Sequence, residues 1–209
     1  MNLFINGIDV PDVGKVRFHL IANSKGGNCL YESIAQALGG SRTFQDVRVE
    51  VADAIIADAA GSVLPDAELQ HLLTSGEENY RSLAGLAGRN LREAIATGNR
   101  GTLPGVGFDW WGDALTLQYA ARRYHTRFII LGGSTSNSIE PPFPVSTVVL
   151  RYWQDNHYEL MEIEIPGEPR ARMLWASPAH RRIVQFLLNR AGGGICRGSE
   201  RQRSIRRPK

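Results

Sequence analysis

Cys29 stands between the polar, glycine-bearing run Asn23-Ser24-Lys25-Gly26-Gly27-Asn28 and residues spaced as one face of a helix, Leu30, Ser33, Ile34, Ala37 and Leu38. A thiol at such a junction suits nucleophilic chemistry. The N-terminus of a helix carries partial positive charge and unpaired N–H groups, which favour thiolate over thiol. The same groups, with the amides of Gly26, Gly27 and Asn28, can donate to the oxyanion of a tetrahedral intermediate, and glycine lets the backbone come that close. The plainer reading is a cysteine serving as a small buried hydrophobe.

A thiol nucleophile needs a base. Among His19, His71, His125, His157 and His180, the best placed is His157, which opens a strand directly after the connector Gln154-Asp155-Asn156. Glu159, two residues on, shares its side of the strand because side chains alternate with period two. A carboxylate there can accept from the imidazole and fix its tautomer, the third role in a Cys-His-acid triad. The plainer reading of His157 is an exposed hairpin residue. His19 reads as a strand residue, His71 and His125 as helix-end or surface residues, and His180 as a first-turn residue of the last helix. No Cys-x-x-Cys, His-x-x-x-His or spaced carboxylate loop appears, so neither a metal nor a cofactor is expected. Gly26-Gly27 lacks the lysine and hydroxyl of a phosphate loop, and Gly-x-Ser-x-Gly is absent.

These residues must be held by a fold, and the sequence punctuates one. Val16 to Ile21 reads as a strand, Cys29 to Leu38 as a helix stopped by Gly39-Gly40, and Phe44 to Ala59 as a second helix with Val47, Val51, Ala54 and Ile55 inward. Residues 65 to 98 read as further helices, broken near Ser75-Gly76, followed by a glycine-rich loop from Gly101 to Gly107. Trp110-Trp111-Gly112-Asp113 opens a helix to about Tyr124, and Arg127 to Leu131 is a strand. Gly132 to Pro144 reads as a loop, Ser146 to Trp153 and His157 to Ile165 as paired strands, and Pro178 to Arg190 as a last helix. The expectation is one mixed α+β domain over residues 1–195, helices first and strands later, with a flexible basic tail over 196–209.

Composition agrees with such a domain. The chain has 209 residues, 43% hydrophobic and 22% charged, with 22 Gly and 10 Pro, which excludes collagen-like and wholly disordered classes. No apolar run is long enough to cross a membrane as a helix, and Asn2, Asn6 and Asp9 interrupt any signal-peptide core. Cys29 and Cys196 do not make a disulfide framework, so a reducing, cytoplasmic setting is expected. The net charge of +3 is uneven: residues 197 to 209 hold six basic residues against Glu200, leaving the body mildly acidic. That is not the footprint of a nucleic-acid-binding domain.

Gly27-Asn28-Cys29-Leu30-Tyr31-Glu32-Ser33-Ile34-Ala35 resembles the nucleophile motif of the ovarian-tumour (OTU) family of cysteine proteases, Asp-Gly-Asn-Cys-Leu-Phe before an apolar helix. Three further blocks follow in family order. Phe44 to Ile56 resembles the second helix, and Trp111-Gly112-Asp113 with Leu115, Leu117, Ala120 and Ala121 resembles the Trp-Gly helix. Val148-Val149-Leu150 through Asn156-His157-Tyr158 resembles the closing strand and histidine motif. The resemblance spans residues 16 to 163 and implies a papain-like α+β OTU fold, a small central sheet flanked by helices. It implies a deubiquitinase, hydrolysing bonds made by the C-terminal glycine of ubiquitin, polyubiquitin or a ubiquitin-like modifier. Carried over by position, Cys29 is the nucleophile, His157 the base, Glu159 the third member, and Gly26, Gly27 and Asn28 the oxyanion hole. Trp111 and Asn156 fall where the family contacts the incoming tail. The implied protein is a monomer without membrane or nucleic-acid partner, working in host cytosol if viral or a secreted effector.

Two positions depart from the family pattern, Gly26 in place of Asp and Glu159 in place of Asp or Asn. They keep a second reading open, a catalytically silent ubiquitin-binding module. Leu187-Leu188-Asn189-Arg190-Ala191-Gly192-Gly193 resembles the Leu-Arg-Gly-Gly ending of ubiquitin, which keeps a third open, a viral polyprotein protease cutting after Gly-Gly. A helix ending in a glycine cap accounts for the same run.

Overall fold

The computed structural model describes residues 7–24, 27–61, 89–98, 111–132, 137–153 and 157–191. The expected break near Ser75-Gly76, the glycine-rich loop, Gly26, Asn156, Cys196 and the basic tail lie outside those residues. The elements run β1 (Ile8–Val10), β2 (Gly14–Ile21), α1 (Cys29–Leu38), α2 (Phe44–Gly61), α3 (Arg89–Thr97), α4 (Ala114–Tyr124), β3 (Thr126–Leu131), β4 (Asn137–Ile139), β5 (Ser146–Trp153), β6 (His157–Glu164) and α5 (Pro178–Ala191).

Six strands form one sheet in the order β1-β2-β6-β5-β3-β4. Only β3 and β5 run parallel; the other neighbours are antiparallel. Period-two alternation divides the interior into two layers. On one face Phe128, Ile130, Val148, Leu150 and Leu160 pack against Leu30 and Ile34 of α1, Val47, Val51 and Ile55 of α2, and Leu115 and Leu117 of α4. On the other, Ile129, Leu131, Val149, Met161 and Ile163 pack against Ile183, Val184 and Leu187 of α5.

Within the described residues the strands and helices expected from periodicity are present, of the helices expected over 65 to 98 only Arg89–Thr97 falling there, and two strands are added. β1 and β4 have three residues each, too short for an alternation to register. β1 adds a second strand ahead of the helices, and β4 falls in the expected loop from Gly132 to Pro144, among the later strands. The start of α2 is a reciprocal box: the Thr43 N–H donates to Asp46 Oδ2 (2.8 Å) and the Asp46 N–H to Thr43 Oγ1 (3.2 Å). At the start of α4, Asp113 Oδ1 accepts from the Thr116 N–H at 3.0 Å. That cap fixes where the preceding Trp111-Gly112 segment enters the helix.

Candidate active site

Cys29 is the first residue of α1 and is buried, 5% exposed. Its position is set by a vacancy in the sheet. The β2–β6 ladder ends at the Ile21–Leu160 rung, so β6 continues toward His157 without β2 beside it. There the Tyr158 N–H turns to the Cys29 Sγ (3.5 Å). The Tyr158 carbonyl on the same side accepts from Asn23 Nδ2 (2.7 Å) and Ser33 Oγ (3.3 Å). Asn23 Nδ2 also lies 2.9 Å from the Cys29 carbonyl and 2.8 Å from Ser33 Oγ. One amide side chain therefore ties the strand end, the nucleophile loop and the first turn of α1 together.

Burial pushes the Cys29 thiol above its ordinary value of 9.0; the N–H groups of Tyr158, Leu30 and Cys29 itself oppose the shift, while Glu32 adds to it. This corrects the expectation of a favoured thiolate. The helix-terminal amides act in the expected direction, but desolvation outweighs them, and the only carboxylate of the first turn sits three residues away. Glu32 also accepts from the Ser24 N–H at 2.6 Å, which ties Ser24 to the first turn of α1.

His157 is the first residue of β6, paired with Trp153 of β5, with the two rings 6.1 Å apart and edge to face. Its Nε2 lies 3.8 Å from Glu159 Oε1, an ion-pair distance rather than a direct hydrogen bond. Arg151, facing Glu159 across the ladder, brings Nη1 to 3.7 Å from the other carboxylate oxygen, and that buried oxygen makes no hydrogen bond. His157, Glu159, Trp153 and Arg151 thus share one face of the strand pair, and Arg151 also lies over the Trp153 ring at 4.8 Å. The longer side chain of Glu159 is shared between imidazole and guanidinium.

Trp111 lies against the nucleophile loop. A Cβ added to Gly27 would meet the Trp111 ring at 2.9 Å, and one added to Gly112 would meet Leu30 at 2.8 Å. The indole remains 43% exposed. The neighbouring Asn28 is the N-cap of α1 but makes no side-chain cap. Its Oδ1 instead accepts from Arg48 Nε at 2.8 Å.

The structure therefore brings Cys29, with Trp111 packed against the preceding Gly27, to the Tyr158 amide, between His157 and Glu159 in sequence, while Gly26 and Asn156 are not among the described residues. His19 and His180 lie elsewhere, paired with Glu164 (2.6 Å) and Glu168 (3.6 Å). Asn23, Arg48 and Arg151 were not singled out by sequence reasoning. Of these, Arg48 carried a signal: with Val51, Ala52 and Ile55 it completes an i, i+3, i+4, i+7 stripe, and an arginine on such a stripe must be satisfied inside. Among the described residues no three His, Cys, Asp or Glu come together as a metal cluster, and no helix is long and apolar enough to cross a membrane.

No protein-family profile matches the sequence, and no curated protein matches it. Solved structures do. An ovarian-tumour domain in complex with ubiquitin superposes with a TM-score of 0.57 at 12% identity, over 89% of this chain and 91% of that one. The viral OTU domain protease from Taggert virus gives 0.43 at 18% identity, over 81% and 94%. The Hazara virus OTU bound to ubiquitin gives 0.42 at 16% identity, over 74% and 92%. The first of these covers nearly the whole of both chains. In its sheet, its helices and their order, this chain has the fold of an OTU domain.

Proposed function

We propose that the chain is a cysteine-type deubiquitinase, hydrolysing peptide or isopeptide bonds at the C-terminal glycine of ubiquitin or a ubiquitin-like modifier. The observation that carries this reading is the meeting of Cys29 Sγ with the Tyr158 amide, which brings a helix-terminal thiol to the strand end that bears His157 and Glu159. The OTU fold supports it, in a solved example of which ubiquitin is the bound partner.

With His157 Nε2 turned to Glu159, Nδ1 is the nitrogen left for the thiol. His157 takes the Cys29 proton, the thiolate forms a bond to the glycine carbonyl carbon, and the oxyanion receives N–H groups at the start of α1. The carbon–nitrogen bond breaks as His157 returns its proton to the leaving amine. Water, deprotonated by His157, then attacks the thioester and releases the modifier's carboxylate, and the proton returns to Cys29. Desolvation raises the free thiol, so removal of its proton by His157 is part of the work of attack.

The test is labelling by ubiquitin carrying a thiol-reactive C-terminus. The wild type is expected to form an adduct, Cys29→Ala none, and His157→Ala an adduct at least tenfold more slowly. The raised thiol and the 3.8 Å gap between His157 and Glu159 favour one other reading, the silent ubiquitin-binding module. Ubiquitin binding without an adduct would select it. Cleavage after Gly-Gly, as by a polyprotein protease, concerns Gly192-Gly193, outside the described residues.

A further inference from the structure

Arg48 is the largest of the fully buried side chains among the described residues, 1% exposed, and it is charged. Placing a guanidinium in a hydrophobic layer is costly unless its donors are used. Three of its nitrogens are spent on named acceptors. Nε donates to Asn28 Oδ1 (2.8 Å), Nη2 to the Gly27 carbonyl (2.9 Å) and Nη1 to the Ile95 carbonyl near the end of α3 (2.9 Å). The guanidinium also lies over the Tyr31 ring at 4.0 Å. Gly98 leaves room for it, since a Cβ there would come within 3.2 Å of Nη2.

Two of these bonds act on the residues immediately before Cys29. In a trans peptide the carbonyl and the N–H point in opposite directions. Holding the Gly27 carbonyl on Arg48 therefore turns the Asn28 N–H away from α2, to the opposite side of the loop. The bond to Asn28 Oδ1 has a second consequence. An N-cap asparagine ordinarily accepts from the N–H of the second or third helical residue. Here that oxygen is engaged by Arg48, and Asn28 places no side-chain cap on the first turn of α1.

We propose that Arg48 is a positioning residue for the oxyanion hole: it fixes the Gly27–Asn28 peptide with its N–H toward the substrate carbonyl and keeps the Asn28 side chain off the first turn of α1. This rests on the deubiquitinase reading. A flip of that one peptide would put a carbonyl oxygen where the donor belongs, leaving nucleophile and base in place but the transition state unsupported.

The experiment compares the wild-type chain with Arg48→Lys, which keeps the charge but loses the fork, and with Asn28→Ala, which removes a single arm. Four quantities are measured: kcat and KM on ubiquitin with a C-terminal fluorogenic amide, Kd for unmodified ubiquitin, Ki for ubiquitin C-terminal aldehyde, and the rate of Cys29 alkylation by iodoacetamide. The aldehyde adds across the thiol, its carbon to Sγ and the proton to its oxygen, and so places an oxyanion-like group in the hole. Losing one oxyanion donor lowers kcat by about 10²–10³-fold. Arg48→Lys is expected to lose on the order of 100-fold in kcat, and Asn28→Ala roughly tenfold. Aldehyde affinity should fall in proportion, with Kd for ubiquitin and the alkylation rate within twofold of wild type.

An unchanged kcat in Arg48→Lys overturns the proposal, as does a loss matched by an equal fall in alkylation, which would place the effect on the Cys29–His157 pair. If Arg48→Lys fails to fold, Asn28→Ala decides by the same criteria. A wild type that neither turns over nor takes the aldehyde overturns the deubiquitinase reading and the proposal together. An active wild type with insensitive variants overturns the proposal alone.

Discussion

Burial costs the Cys29 thiolate more than three amide N–H groups return, which pushes the thiol above its ordinary value. The sign sets a pH dependence. A group whose anionic form is disfavoured titrates late, so alkylation of Cys29 by iodoacetamide should still be rising at pH 9, the ordinary value. Mass-spectrometric rates between pH 6 and 10 test this in His157→Ala, where the thiol stands without the imidazole; a plateau below pH 8 would contradict it. Individual residues were legible in the sequence to the extent that their neighbours formed a pattern. Cys29 announced itself by a loop-to-helix junction, and His157 with Glu159 by a two-residue spacing. The net effect on the thiol was not legible, because helix-terminal N–H groups are local whereas burial depends on how the rest of the chain packs around Cys29. Arg151 was hidden for a similar reason: its link to Glu159 runs across the β5–β6 ladder and leaves no trace in spacing.

At the scale of elements, the site depends on close approach between the α1 entry loop and the segment that leads into α4. Gly27 is needed there for contact, since any side chain would strike the Trp111 indole. Gly27→Ala is expected to displace that ring, shift tryptophan fluorescence and slow ubiquitin-probe labelling by more than about tenfold, a displacement of an ångström near the chemistry being worth as much as 10²-fold. In a double-mutant cycle, Gly27→Ala with Trp111→Ala should lose less than the sum of the two, because the second change removes the clash. Labelling that adds the two losses would show that they act separately. The long elements were readable from period and punctuation. α1 ends at its glycines and α4 begins at Asp113, both by ordinary capping chemistry. β1 and β4 were not, because three residues contain only one and a half alternations and both strands draw their order from an established neighbour.

For the molecule as a whole, the sheet separates two tasks. One face is buried under α1, α2 and α4, which carry the candidate nucleophile and its support, and the other under α5. Truncating Leu187, 1% exposed on the α5 side, should therefore cost stability without touching the chemistry. Leu187→Ala is expected to lose about 2–5 kcal/mol in urea denaturation, with the probe-labelling rate of the folded protein within twofold of wild type. A large loss of labelling at full folding would show that the two faces are coupled. The strand order has a temporal consequence. β6 lies between β2 and β5 and carries His157, so β2 lacks that neighbour, and Cys29 its counterpart, until residues near 160 have left the ribosome. A nascent chain that ends before them holds a thiol but neither the base nor the amide that receives it. Whatever Cys29 and His157 do together is withheld until a single late strand is inserted.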